Sequence, residues 1–145
     1  FLKQYKKNKP LTITDKRMTR FNITLTEAVN FVLNCAKVMK GGEIFVPKIP
    51  SYKILDLVKA INPKVKFKFI GLRAGEKIHE EMISETDAMN TREFNNYYVI
   101  YPSYLKIQNK KKISNYSSDS NRNFLSPLEI KKLIDKNFHT FELEK

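Results

Sequence analysis

Val65-Lys66-Phe67-Lys68-Phe69-Ile70 is followed by Arg73-Ala-Gly-Glu76 and then by a mixed polar and apolar run that ends at Ile83. The first run alternates apolar residues with lysines, which predicts a half-buried β-strand. Residues 76–83 are predicted to form a helix. Arg73-Ala-Gly-Glu76, called the 73–76 loop below, would connect the two. This order of strand, loop and helix indicates an α/β fold with a polar loop at a strand end.

The 73–76 loop carries residue types that suit a nucleoside diphosphate. The planar guanidinium of Arg73 can make two parallel charge-assisted hydrogen bonds to a phosphate. Glu76 accepts hydrogen bonds only, so it can take both hydroxyls of a ribose. Gly75 allows the backbone to turn closely between them. The alternative is an Arg–Glu pair at the start of a helix, and these four residues alone do not separate the two interpretations.

Three further helices and several short strands are predicted around this loop. Two of these helices begin with a capping box, Thr24 with Glu27 and Ser126 with Glu129. Ser51 is predicted to cap the third. An apolar stripe lies on the helix that follows Thr24, and Cys35, on this stripe, is expected to be a buried small hydrophobe. Strands are predicted at residues 11–13, 20–23, 43–46 and 97–101, and the 43–46 run is typical of a sheet buried on both faces.

The composition argues against several classes of protein. The chain has 145 residues and a net charge of +12, with 22 Lys spread over every segment and only 5 Arg. A basic nucleic-acid-binding module is an alternative, but it would need arginines or aromatic rings gathered on one face. We therefore expect no nucleic-acid partner. A single cysteine and no Cys/His cluster predict no metal site, and no apolar run approaches the ~20 residues needed to cross a bilayer.

Two more segments complete a pattern with the 73–76 loop. Residues 13–29 begin Ile13-Thr14-Asp15 and include Met18-Thr19-Arg20-Phe21, and residues 41–51 run from Gly41-Gly42-Glu43 to Pro50-Ser51. In this order, the three segments closely resemble the C-terminal half of the inverting UDP-N-acetylglucosamine 4,6-dehydratases. These enzymes are extended short-chain dehydrogenases/reductases of the polysaccharide biosynthesis protein family. The resemblance thins over residues 84–112 and returns weakly at Tyr116-Ser117-Ser118 and over residues 121–133.

The resemblance implies a fold and a division of the chain. The fold would be α/β, a C-terminal fragment holding part of the Rossmann-type sheet and the small substrate-binding domain. Residues 1–102 would form the UDP-sugar-binding region, and residues 103–125 a loop or disordered segment. Residues 126–145 would form the C-terminal helix and tail.

The resemblance also implies an activity. The family oxidises its sugar at C4 with NADP, eliminates water across C5 and C6, and returns hydride to C6 with inversion at C5. No glycine-rich dinucleotide fingerprint occurs in this chain, so NADP would be bound by an N-terminal domain outside it. No catalytic residue is expected here, and we attribute the Tyr-x-x-x-Lys spacing of Tyr5 and Lys9 to chance. The full-length protein is expected to be a cytoplasmic homo-oligomer that serves bacterial surface or flagellar glycans of the pseudaminic-acid type.

Four residues are predicted to bind the UDP-sugar. By resemblance, Arg73 binds the phosphates, Glu76 binds the uridine ribose and Thr14 lines the nucleotide pocket. Arg20 matches a phosphate-binding Arg of related UDP-sugar epimerases. The alternative is that Arg20 makes a salt bridge that stabilises the position of the following helix. A UDP-sugar epimerase of the same superfamily is the alternative function. His79 is predicted to lie on a helix surface, and Asp15 and Thr19 are predicted to serve as turn and capping residues.

Overall fold

The computed structural model describes residues 1–105, 113 and 115–137. Short strands alternate with helices along the described chain, as the α/β prediction requires. The helices are α1 (Leu2–Lys6), α2 (Leu25–Val38), α3 (Ile54–Ile61), α4 (Glu85–Ala88) and α5 (Pro127–Asn137). The strands are β1 (Leu11–Ile13), β2 (Thr19–Phe21), β3 (Ile44–Pro47), β4 (Ser51–Lys53), β5 (Phe67–Phe69), β6 (Glu81–Ile83), β7 (Thr91–Glu93), β8 (Tyr97–Ile100) and β9 (Tyr116–Ser117).

The described strands form four small sheets. β1 pairs with β5 in parallel, β2 with β4 and β6 with β9 antiparallel, and β3, β8 and β7 form a three-stranded antiparallel sheet. One apolar cluster lies between β1 and α3 and is built on Leu11, Ile13 and Val58. A second cluster joins the antiparallel sheets, and its buried members are Val46, Ile83, Ala88, Ile100 and Tyr116.

The predicted capping boxes are both present. The Thr24 hydroxyl accepts a hydrogen bond from the backbone of Glu27, whose carboxylate in turn accepts from the Thr24 backbone at 2.8 Å. Ser126 and Glu129 make the same reciprocal pair at the start of α5. In both boxes, the hydrogen bonds to the serine or threonine lower the pKa of the glutamate. Local hydrogen bonding therefore defines where these two helices begin.

The predicted helix over residues 76–83 is wrong. Residues 77–80, called the 77–80 segment below, have no helical structure, and residues 81–83 form β6, which pairs with β9. The carbonyls of this segment accept hydrogen bonds from distant side chains rather than from the next helical turn. Tertiary contacts have overridden a local pattern that favours a helix.

The predicted cap at Ser51 is also wrong. Ser51 is fully buried in β4, and α3 begins only at Ile54. Its backbone NH donates to the Asn123 carbonyl, and its carbonyl accepts from Leu125, both at 2.8 Å. The Asn121 side chain donates to its hydroxyl. Because its polar groups are bonded to the segment before α5, Ser51 has no role at the start of α3.

Four other expectations need correction. β3 pairs antiparallel with β8 and buries only Val46 strongly, so it is not a strand covered on both faces. β5 is exposed rather than half-buried, since β1 is its one partner among the described strands. Cys35 is half-buried. The 103–125 segment, predicted to be a loop or a disordered segment, contains β9. Residues 106–112, 114 and the 138–145 tail lie outside the described residues.

α2 presents a broad apolar surface to solvent. Leu25 is 78% exposed and Val32 is 63% exposed, and no residue of this helix is buried against the rest of the described chain. The aromatic side chains of Phe67 and Phe69 on β5 are about half exposed as well. Contiguous apolar surface of this kind marks an interaction site or a tendency to aggregate.

We therefore expect the 145-residue chain alone to self-associate and to unfold without a sharp transition. Size-exclusion chromatography and a thermal melt followed by circular dichroism would test this. Val29→Glu combined with Val32→Lys should reduce the association, because both residues lie on the exposed apolar face. Asn30→Glu, on the same helix, is the matched control and should change little. A monomeric, cooperatively unfolding wild-type chain would contradict the expectation.

Candidate functional site

The parallel pairing of β1 with β5 creates the candidate site. Ile13 lies opposite Phe69, so Thr14 and Ile70 leave the two strands at the same edge. The Ile70 amide donates to the Ile13 carbonyl at 2.9 Å, which extends the pairing by one residue. Loops that follow the carboxyl ends of parallel strands are the usual location of ligand sites in α/β folds.

The 73–76 loop closes on itself at this edge. The Glu76 amide donates to the Arg73 carbonyl at 3.1 Å, and Gly75 has φ 78°. A side chain at Gly75 would meet no neighbouring atom, so the glycine is required for its backbone conformation and not for space. This turn brings the side chain of Glu76 back toward β1.

Glu76 is held from two directions. The Thr14 hydroxyl donates to Oε1 at 3.1 Å, and the Arg73 amide donates to Oε2 at 3.3 Å. A carboxylate offers about four acceptor positions, so capacity for further hydroxyl donors remains. The side chain is half-buried, and the two hydrogen bonds orient its carboxylate in the absence of a ligand. The structure brings Thr14, Arg73 and Glu76 together, as a shared site requires.

Arg73 differs from Arg17 and Arg20, whose guanidinium groups lie against carboxylates. Its side chain is exposed, and among the described residues its guanidinium makes no hydrogen bond and no ion pair. The Arg73–Glu76 contact runs through the Arg73 backbone instead of through the side chain. The structure therefore does not contain the alternative, a pairing of the Arg73 and Glu76 side chains.

Arg20 is placed beside the 77–80 segment. Nη1 donates to the carbonyls of Thr19 at 2.7 Å and Ile78 at 3.0 Å, and Nη2 donates to the Lys77 carbonyl at 2.9 Å. Nε lies 3.3 Å from Oε1 of Glu80. The expected salt bridge exists, but it joins β2 to the 77–80 segment and not to the following helix. The prediction that Arg20 binds phosphate remains a prediction.

A buried hydroxyl pair adjoins this segment and was missed from the sequence. The Thr19 and Ser118 hydroxyls lie 2.7 Å apart, and Thr19 Oγ1 is 2.8 Å from His79 Nδ1. Ser118 Oγ also accepts from the Glu80 amide at 2.9 Å. Thr19 is therefore a buried strand residue instead of a cap, and His79 lies on no helix. The run Tyr116-Ser117-Ser118 was the one available signal, without a role attached to it.

Asp15 fulfils the turn role predicted for it. Its Oδ1 accepts a hydrogen bond from the Arg17 backbone at 2.8 Å, and its other oxygen lies 2.7 Å from the Arg17 guanidinium. These hydrogen bonds lower the pKa of Asp15 to about 2. The pair shapes the turn between Thr14 and β2. On either side of this turn, Thr14 contacts Glu76 and Arg20 contacts the 77–80 segment.

The described residues do not form a dinucleotide cradle. The four glycines of the chain are Gly41, Gly42, Gly71 and Gly75, and no strand–glycine-rich turn–helix unit joins them. Among residues 1–105, 113 and 115–137, no three His, Cys, Asp or Glu side chains are grouped as metal ligands. In the same part of the chain, no helix combines the length and hydropathy of a bilayer span.

Relatives of this chain act on nucleotide sugars. It is 46% identical over 142 residues to the inverting UDP-N-acetylglucosamine 4,6-dehydratase of Campylobacter jejuni, covering 88% of this chain and 42% of the relative. It is 36% identical over 149 residues to the UDP-glucose 4-epimerase of Rickettsia bellii, covering 92% and 43%. The chain thus spans less than half the length of these relatives.

The fold has a solved counterpart, and a family model matches most of the chain. The crystal structure of Pen from Bacillus thuringiensis superposes with a TM-score of 0.79 at 31% identity, covering 93% of this chain and 42% of Pen. The architecture is that of part of an extended short-chain dehydrogenase/reductase. The model described as "Polysaccharide biosynthesis protein" matches residues 1–102. From these matches, the chain belongs to the polysaccharide biosynthesis protein family.

Proposed function

We propose that this chain supplies the UDP-binding part of a nucleotide-sugar enzyme. The observation that carries the proposal is the convergence of Thr14 and the 73–76 loop, with Glu76 oriented at 3.1 Å from the Thr14 hydroxyl. The exposed Arg73 guanidinium lies on the same loop. One oriented carboxylate next to one available guanidinium matches the two chemically distinct parts of a nucleoside diphosphate.

The two side chains would divide the ligand between them. Glu76 would accept hydrogen bonds from the ribose hydroxyls through the lone pairs that Thr14 and the Arg73 amide leave open. Arg73 would pair with the diphosphate through its planar fork. Arg20 would belong to the same site, beside the 77–80 segment that follows Glu76.

The reaction we propose for the full-length protein is dehydration of UDP-N-acetylglucosamine to a 4-keto-6-deoxy sugar with inversion at C5. The 46% identity to an enzyme of that name favours it. NADP would be held by residues outside this chain, since the chain offers no cradle for it. The product would enter bacterial surface or flagellar glycans, and the protein would act as a cytoplasmic homo-oligomer without a nucleic-acid or membrane partner.

A UDP-sugar 4-epimerase is the second candidate, favoured by the 36% identity to an enzyme of that name over 92% of this chain. Mass spectrometry of the full-length protein incubated with UDP-N-acetylglucosamine separates the two. We expect a product lighter by one water. An isomer of unchanged mass that chromatography separates from the substrate would identify an epimerase, and no conversion of UDP-N-acetylglucosamine or of UDP-glucose would contradict both.

A further inference from the structure

A polar cleft, called the Arg122 cleft below, lies apart from the 73–76 loop. It has a volume of about 530 Å³ and opens between the ends of β3 and β7, the strand β8 and the segment that follows β9. The side chains that give it its chemical character are Lys48, Glu93, Tyr98, Tyr116, Arg122 and Asn123. None of Thr14, Arg20, Arg73 and Glu76 lines it, so it is separate from the candidate nucleotide site.

Hydrogen bonds to Ile49 and Ser51 fix the shape of the cleft. The Tyr116 hydroxyl donates to the Ile49 carbonyl at 2.9 Å and accepts from the Ile49 amide at 3.1 Å. The Asn121 side chain donates to the same carbonyl at 2.8 Å and to the Ser51 hydroxyl at 3.0 Å. These bonds hold the segment after β9, which carries Arg122 into the lining. The cleft therefore has its shape in the absence of a ligand.

The charges of the cleft are unbalanced. Lys48 Nζ lies 2.8 Å from Oε1 of Glu93 and 4.8 Å from the centre of the Tyr98 ring, so its charge is compensated and its position is fixed. Arg122 is exposed, and among the described residues its guanidinium makes no hydrogen bond and no ion pair. Because two cations and one carboxylate line the cleft, one positive charge is available to an anion.

The size and polarity of the cleft narrow the class of ligand. Its volume falls within the range of about 300–1,000 Å³ that small-molecule sites occupy, which is more room than a phosphate ion fills. The lining is mostly polar and therefore suits a molecule rich in hydroxyl groups. The rings of Tyr98 and Tyr116, with centroids 5.2 Å apart, add apolar surface for the carbon face of a sugar ring.

We propose that the Arg122 cleft binds a sugar that carries one phosphate or carboxylate group. Arg122 would pair with the anionic group, since a guanidinium forms paired hydrogen bonds with either. Lys48 would add a hydrogen bond, because its ammonium has three donors and Glu93 takes one of them. The sugar ring would lie against Tyr98. This inference does not rest on the proposed function, because the cleft shares no residue with the nucleotide site.

Calorimetric titrations into the full-length protein test the cleft, with UDP present at saturation to occupy the 73–76 loop. We expect glucose 1-phosphate and glucuronate to bind, and glucose and inorganic phosphate to bind about tenfold more weakly, because each lacks one part of the recognised group. If only one of the two charged sugars binds, it identifies the anionic group as phosphate or as carboxylate, and the proposal stands.

Two variants assign the binding to Arg122. Arg122→Gln should weaken the charged sugars about tenfold. Lys132→Gln is the matched control, since it removes an equal charge from an exposed side chain of α5 that lines no part of the cleft, and it should change nothing. The proposal is overturned if neither charged sugar binds, if Arg122→Gln binds them as wild type does, or if they bind no more tightly than glucose or inorganic phosphate.

Hydrogen exchange locates the site. The charged sugar that binds should slow exchange at the amides of Lys48 and Asn123, which are bonded to Asn96 and Asn121, and leave the 73–76 loop unchanged. Protection of that loop instead of the cleft would overturn the proposal. If UDP itself does not bind, the proposed function fails, and the same titrations without UDP still decide whether the cleft binds a charged sugar.

Discussion

Arg73→Ala in the full-length protein should raise the dissociation constant for UDP roughly ten- to hundredfold, because a charge-assisted phosphate contact contributes about 1.5–3 kcal/mol. The loop itself should survive, since its internal hydrogen bonds use the Arg73 backbone and not its side chain. Calorimetric titration of UDP gives the constant directly. Binding of NADP to the same variant should be unchanged.

Two further variants sharpen this prediction. Arg73→Lys should recover only part of the affinity, because an ammonium cannot make the paired contact of a guanidinium. Lys77→Ala removes an equal charge from an exposed side chain next to the loop, and it should bind UDP almost as wild type does. If Arg73→Ala binds UDP as tightly as wild type, the loop is structural.

Glu76→Ala should weaken uridine and UDP by the same factor, because the carboxylate is proposed to contact only the ribose. Two hydroxyl hydrogen bonds to a charged acceptor suggest a loss on the order of ten- to hundredfold. Glu76→Gln should lose less, since its amide oxygen can still accept from Thr14. Titrations of uridine and UDP into each variant give the comparison. A loss seen with UDP and absent with uridine would contradict the assignment of Glu76 to the ribose.

Short-range patterns predicted much of the fold. The capping boxes of α2 and α5 depend on residues three positions apart, so the sequence alone indicates where both helices begin. The alternation around Phe67 and Phe69 likewise predicts β5. The helix predicted over residues 76–83 failed because its backbone is bonded to Arg20, which lies 57 residues away from Lys77. The cap predicted at Ser51 was wrong for the same reason, because its hydrogen-bond partners lie far along the chain, just before α5.

The candidate site was predictable in part. Arg73 and Glu76 belong to one turn, so their proximity follows from the chain itself, and Gly75 indicates the turn. Their contact with Thr14 depends on the register of β1 against β5, which no local pattern encodes. The family resemblance alone predicted that Thr14 lines the same pocket. The contact of Thr19 with Ser118 joins residues 99 positions apart. Nothing in either local sequence predicts that pairing.

A crystal structure of the full-length protein with UDP tests the central claim most directly. The account predicts both ribose hydroxyls within about 3 Å of the Glu76 carboxylate. It also predicts the Arg73 guanidinium on the diphosphate. UDP bound elsewhere, with Arg73 and Glu76 touching no part of it, would contradict the account.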